Sequence, residues 1–149
     1  MTRRYALYFA PPAAHPLWRA GCDWLARDPE SGTTGTAASH RAEPRRYGFH
    51  ATLKPPFALR DGLAESQLLS ALAAWVRERG AFEMPALAVA TLGDFIALRP
   101  VARDATAPGR PLRELADGCV RVFDEFRRPL SSAEAAGRIS PELDRKSVV

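Results

Sequence analysis

Between Ala64 and Gly80 apolar residues recur at steps of three and four, so that Leu68, Leu69, Leu72, Trp75 and Val76 share one face of a helix. A face that wide must be buried, which commits the chain to a packed core and supplies one wall of it. Gly80 is placed to take the left-handed conformation that ends the helix, and Gln67 stands at the capping-box position behind Ala64, itself a poor cap. Two other stretches repeat the period. In His15 to Asp28, Leu17, Trp18, Gly21, Cys22, Trp24 and Leu25 alternate with Arg19, Asp23 and Arg27, a helix of about three turns with Pro16 in the first turn. From Leu112 to Phe126 the stripe is Leu112, Leu115, Cys119, Val122, Phe123 and Phe126. The tryptophans Trp18, Trp24 and Trp75 all fall on such stripes and are expected in the core.

The remaining apolar runs are too short for helices and rich in β-formers. Arg3 to Pro11 reads as a buried strand closed by Pro11-Pro12. Arg45 to Phe57 reads as a basic turn entering an alternating strand that stops at Pro55-Pro56. Phe82 to Pro100 reads as two strands joined at Gly93-Asp94. Pro29 to Pro44 is small, polar and rich in Gly, Ser and Thr, and is expected as a flexible surface loop. The order is strand, helix, strand, helix, two strands, helix. It predicts an α+β domain with a mainly antiparallel sheet and helices on one side, spanning residues 1–130, followed by a loosely ordered tail over 131–149.

Composition narrows the function classes. The chain has 149 residues, 46% hydrophobic and 26% charged, which suits one globular domain and excludes disorder over most of the length. No run approaches the roughly 18 apolar residues of a membrane span, and the apolar stretch of the opening segment is too short before its prolines for a signal peptide to be expected, so a cytoplasmic location and no membrane partner are expected. Cys22 and Cys119 lack metal-ligand spacing and sit among apolar neighbours, as small core residues do. The net charge of +4, carried mostly by arginine, suits phosphate-bearing ligands, and equally an ordinary solvated surface.

One strand carries chemistry. Alternation sends Phe49, Ala51 and Leu53 to one face and His50, Thr52 and Lys54 to the other. An imidazole, a hydroxyl and an ammonium side by side can move a proton and hold a phosphate ester. Gly48, just before them, allows backbone geometry or a close ligand approach that a side chain would block. Arg45, Arg46 and Tyr47 flank the strand as candidate phosphate contacts, with a solvated loop as the plain alternative. Tyr5 and Tyr8 point to opposite faces of the first strand, so one of them at most, taken as Tyr8, joins the site. Arg99, at the end of the hairpin, is the last candidate.

The segments RYALYFAPP, PLWRAGCDWLARD, EPRRYGFHATLKPPF and LGDFIALRP, in this order and over about Arg3 to Pro129, resemble a bacterial family found with phosphonate-utilisation genes. That family belongs to the 2H phosphoesterase superfamily. The resemblance implies a bilobal α+β fold whose two halves each bring a His-x-Thr/Ser strand to a central cleft. It also implies that paired histidines act as acid and base on a cyclic phosphate or related phosphodiester, with no metal or other cofactor. His50 then becomes one acid/base residue and Thr52 one phosphate-binding hydroxyl, with Lys54, Arg46, Tyr47, Tyr8 and Arg99 as substrate contacts.

A second His-x-Thr/Ser motif, expected after the Leu112 to Phe126 helix, does not occur: His15 and His40 precede the strand and lack the pattern. Three accounts follow: a truncated or frameshifted chain, a site completed by another subunit, or a relic that binds phosphate without turnover. The abrupt loss of resemblance favours the first. The expected partner is a small phosphorylated substrate such as a cyclic phosphate, or a nucleotide or RNA end, and an incomplete second lobe is expected to favour self-association.

Overall fold

The computed structural model describes residues 3–93, 95–101 and 110–131. The expected tail lies outside the described residues from position 132 onward. The described elements are β1 (Arg4–Phe9), α1 (Pro16–Leu25), α2 (Ala42–Tyr47), β2 (Ala51–Ala58), α3 (Glu65–Arg77), β3 (Leu87–Leu92), β4 (Phe95–Pro100) and α4 (Arg110–Val122), with 3-10 turns at Ser39–Arg41 and Phe123–Phe126. The chain is α+β, as the alternation of periods predicts. Among the described residues β1 pairs with β2 and β3 with β4, giving two separate two-stranded sheets. No helix among them is long and apolar enough to cross a membrane.

Two compact units divide the chain, one formed by Ala6–Pro56 and the other by Met1–Tyr5 with Phe57–Val149. The second unit is built on part of the helical stripes, since Leu69, Val76 and Val122, expected on their buried faces, are exposed. Leu68 and Trp75 of α3, Cys119 of α4, and Phe123 and Phe126 beyond it are buried together with Phe57. The rings of Trp75 and Phe123 meet edge to face at 5.6 Å, a favoured aromatic geometry. Arg60 N–H donates to the Phe126 carbonyl and Arg128 N–H to that of Ala58, tying the end of β2 to the segment after α4.

The ends of α3 are set differently from the sequence expectation. At the start, Ala64 N–H donates to Gln67 Oε1 at 2.7 Å, so half of a capping box forms, and alanine has no side-chain oxygen for the other half. At the other end the helix stops at Arg77, and Gly80 is not among the residues with positive φ. Arg79 takes over the capping, donating to the Trp75 carbonyl while its guanidinium lies 3.6 Å from the Trp75 ring centroid. The hairpin conforms to its signal. Leu92 pairs with Phe95 in an antiparallel register running to Leu87 with Pro100, and Gly93 supplies the φ of 59° that a two-residue turn requires.

In the Ala6–Pro56 unit the core is Leu7, Trp18, Cys22 and Leu25. His15 caps α1, its Nδ1 accepting from Leu17 N–H at 3.1 Å, and Pro16 occupies the first turn. Gly21 is required by packing, because a Cβ there would lie 2.2 Å from the Phe49 ring. Trp24 departs from expectation at 41% exposure. Its ring has Arg41 over one face, and Arg41 also donates to the Trp24 carbonyl, so a cation replaces core packing. Neither cysteine is in a disulfide, and both are buried. Burial, reinforced by the carboxylates of Asp28, Asp23 and Glu30, pushes the Cys22 thiol upward, which keeps it protonated and unreactive.

The stretch expected as a flexible loop is hydrogen-bonded. Asp28 N–H donates to the Thr33 carbonyl at 2.9 Å, Gly35 N–H to that of Ala26 at 2.8 Å, and Arg27 bridges to Thr34 in antiparallel fashion. The Asp28 carboxylate accepts from Glu30 N–H and Ser31 Oγ, each at 2.9 Å, a side-chain turn that glycine-rich composition conceals. Those two bonds hold the Asp28 carboxyl below its ordinary value.

Candidate functional site

Gly48 determines where the histidine points. It combines φ 78° with ψ 178°, a region essentially closed to side-chain-bearing residues, and a Cβ on it would sit 2.5 Å from Pro29 Cγ. This bend separates α2 from β2 and turns the Gly48 carbonyl toward the next side chain but one. His50 Nδ1 lies 2.9 Å from that oxygen. A carbonyl oxygen only accepts, so Nδ1 carries the hydrogen, and the neutral ring presents its lone pair at Nε2. The orientation is secured a second time by Tyr8, whose ring lies against the imidazole at 3.8 Å between centroids and 31° between planes. His50 is half-buried and stands one residue ahead of β2.

Thr52, two residues on, is exposed on β2, so a hydroxyl follows the imidazole at strand spacing. Lys54 is different. Alternation groups it with His50 and Thr52 on the face opposite the core, but it is 3% exposed while Ala51, grouped with the core, is exposed. A two-stranded ribbon is strongly twisted and leaves no continuous face, so period two stops sorting side chains along an eight-residue strand. The strand also runs through Pro55-Pro56 to Ala58 instead of stopping there; a two-stranded sheet leaves each strand an unpaired edge, where proline is tolerated.

The other candidates scatter. Tyr8 stands against His50, whereas the Tyr5 hydroxyl donates to Glu65 Oε2 at 3.1 Å and belongs to the other unit. Tyr47 is exposed, with the Arg46 guanidinium 6.0 Å from its ring centroid. Arg99 is exposed on β4 opposite Ala88, in the unit that does not contain His50. Arg45 and Arg46 are not in a basic turn: they close the last turn of α2, where positive charge complements the helix dipole. Among the described residues no cluster of three or more His, Cys, Asp or Glu side chains is placed to hold a metal.

Sequence reading missed a pocket. Arg27, Asp28, Pro29, Gly32, Thr34, Ala42, Arg45 and Arg46 line a solvent-open pocket of about 300 Å³. Arg27 enters it because α1 ends at Ala26 in a left-handed conformation, φ 51° and ψ 39°, which swings the chain out of the helix. Arg27 then donates to the carbonyls of Arg45 and Arg46, satisfying the end of α2. The only sequence signal was Arg27 just before the glycine-rich stretch and Arg41, Arg45 and Arg46 at and beyond its end.

With this geometry established, the family model described as "Protein of unknown function (DUF1045)" matches residues 52–148. The chain belongs to this DUF1045 family. The match opens at Thr52 and continues past Pro129, where the sequence reading placed the end of the resemblance. Two curated relatives carry the name "Ribose 1,5-bisphosphate phosphokinase PhnN". The protein from Laribacter hongkongensis (strain HLHK9) is 35% identical over 151 residues, covering 96% of this chain and 35% of its own length. That from Janthinobacterium sp. (strain Marseille) is 38% identical over 146 residues, covering 91% of this chain and 31% of its own. This DUF1045 chain therefore spans about a third of the length of those relatives. No solved structure matches it.

Proposed function

We propose that this DUF1045 chain is a metal-independent phosphoesterase domain of the 2H superfamily, acting on a cyclic phosphate or related phosphodiester of a phosphorylated ribose, within phosphonate metabolism. The observation that carries the reading is the hydrogen bond from His50 Nδ1–H to the Gly48 carbonyl, which reserves Nε2 for proton transfer. In the step, water adds to phosphorus, Nε2 accepts the water proton, and one ester P–O bond breaks. The departing oxygen gains a proton from solvent where no second imidazole faces it. Thr52 donates a hydrogen bond to a phosphoryl oxygen as charge builds there. The relatives' name supports the substrate class, phosphorylated ribose. The kinase half of that name is better assigned to the part of those proteins not shared here, since this sequence holds no Gly-x-x-x-x-Gly-Lys-Ser/Thr phosphate loop.

The test is hydrolysis of 2′,3′-cyclic AMP and of ribosyl cyclic phosphates by the purified chain. His50→Ala should lower kcat/KM by about 10²- to 10⁴-fold with an unchanged circular dichroism spectrum. Unchanged activity in that variant removes His50 from the mechanism.

A second reading, phosphate binding without turnover, is favoured by the engagement of the other two histidines. His15 caps α1 and His40 lies 6.5 Å from the Trp24 ring, which leaves His50 the one histidine in a His-x-Thr/Ser pattern. Absence of turnover in the unaltered chain, with phosphate-ligand binding that weakens steeply as salt rises, selects this reading over the first.

A further inference from the structure

We propose that the pocket lined by Arg27, Arg45 and Arg46 is a binding site for a phosphomonoester on a pentose-sized molecule, separate from the His50 centre. The site stands independently of the catalytic reading, because none of His50, Thr52 and Tyr8 lines it. Three arginines line it against one acidic residue, Asp28, a surplus of positive charge that suits a dianion better than a singly charged diester.

The arginines are not used up by the fold. A guanidinium has five N–H donors. Arg27 spends one of its terminal nitrogens on the carbonyls of Arg45 and Arg46, and Arg45 donates through Nη2 to the Gly35 carbonyl. Among the described residues Arg45 Nε is buried without a hydrogen-bond partner, so the Arg45 donors are not all spent within the fold. Arg46 is mostly exposed, its contact with Glu43 a loose 3.7 Å, so it can swing toward a ligand at small cost.

The carboxylate does not close the site. Asp28 is held by Glu30 N–H and Ser31 Oγ, and the same bonds stabilise its charge on the loop. Gly32 leaves its part of the lining open: its φ is 75° and a Cβ there would meet nothing within 4 Å, so a ligand can approach the backbone. Thr34 adds a hydroxyl. A volume of about 300 Å³ lies at the small end of ligand pockets and matches a phosphorylated pentose in size.

Isothermal titration of the full chain at low salt with ribose 5-phosphate, ribose, inorganic phosphate and AMP tests the assignment. Ribose 5-phosphate should bind, ribose should not, and inorganic phosphate should bind more weakly. Arg46→Ala, which removes an exposed side chain and leaves the fold intact, should weaken ribose 5-phosphate binding about tenfold, the size of one charge-assisted contact. His50→Ala should leave that binding unchanged, which separates failure of this site from failure of the catalytic reading. Four results overturn it: no binding of ribose 5-phosphate, equal affinity for inorganic phosphate, tighter binding of AMP, or binding that survives Arg46→Ala combined with Thr34→Val.

Discussion

The unit around Trp75 and Phe123 is organised by apolar burial, and the unit around His50 by polar groups that constrain the backbone. In the first, the residues that matter are those the helical period marks, and they meet as rings and aliphatic chains. In the second, the decisive groups are Gly48, Ala26, Asp28 and Arg27, none of which belongs to a hydrophobic stripe. Burial is non-directional and tolerates local variation, whereas a hydrogen bond or a positive φ fixes one atom in one place. A core therefore serves to hold elements together, and the polar network serves to aim an imidazole and shape a pocket.

Removing Phe123, which is fully buried, should produce the largest effect on stability. Phe123→Ala is expected to cost about 3–5 kcal/mol in urea unfolding. If the comparison is right, ribose 5-phosphate affinity measured below the unfolding transition should stay within a factor of two.

Gly48→Ala probes the opposite unit. Forcing a Cβ into this φ/ψ region and against Pro29 should cost about 1–3 kcal/mol, while turnover falls as much as in His50→Ala because the carbonyl that orients the ring moves. Retained turnover at reduced stability would make Gly48 a packing residue only and would blur the distinction between the units.

The smallest effect has the opposite sign. Ala26 ends α1 with a left-handed φ of 51°, its N–H donating to the Asp23 carbonyl, so Ala26→Gly should relieve strain and raise stability by about 1 kcal/mol. Thermal unfolding reads this gain, and a loss would mean that the Ala26 methyl group contributes packing that outweighs the strain.

Much of the fold was legible because its signals are local. The period of α3, the cysteine and phenylalanines of the α4 stripe, and the turn at Gly93 each depend on neighbours within a few residues. His50, Thr52 and Tyr8 were legible as candidates, and Tyr8 against His50 is the one pairing among them that the structure brings into contact. Lys54, Trp24 and Gly80 were misplaced for a common reason: a pattern ranks positions on an ideal strand or helix, and a twisted ribbon, a stacking arginine or a substitute cap changes what each position meets.

The sequence by itself determined the α+β class, the helices and the buried centres of their stripes, the hairpin and the strand that carries His50, because periodicity and turn chemistry act over short distances. Only the tertiary structure decided which carbonyl holds the imidazole, that Lys54 is buried, and that Arg27 meets Arg45 and Arg46 around one pocket. Those outcomes join residues up to about twenty positions apart through single hydrogen bonds, whose partners are chosen by the path of the backbone and leave no repeating mark in the order of residues.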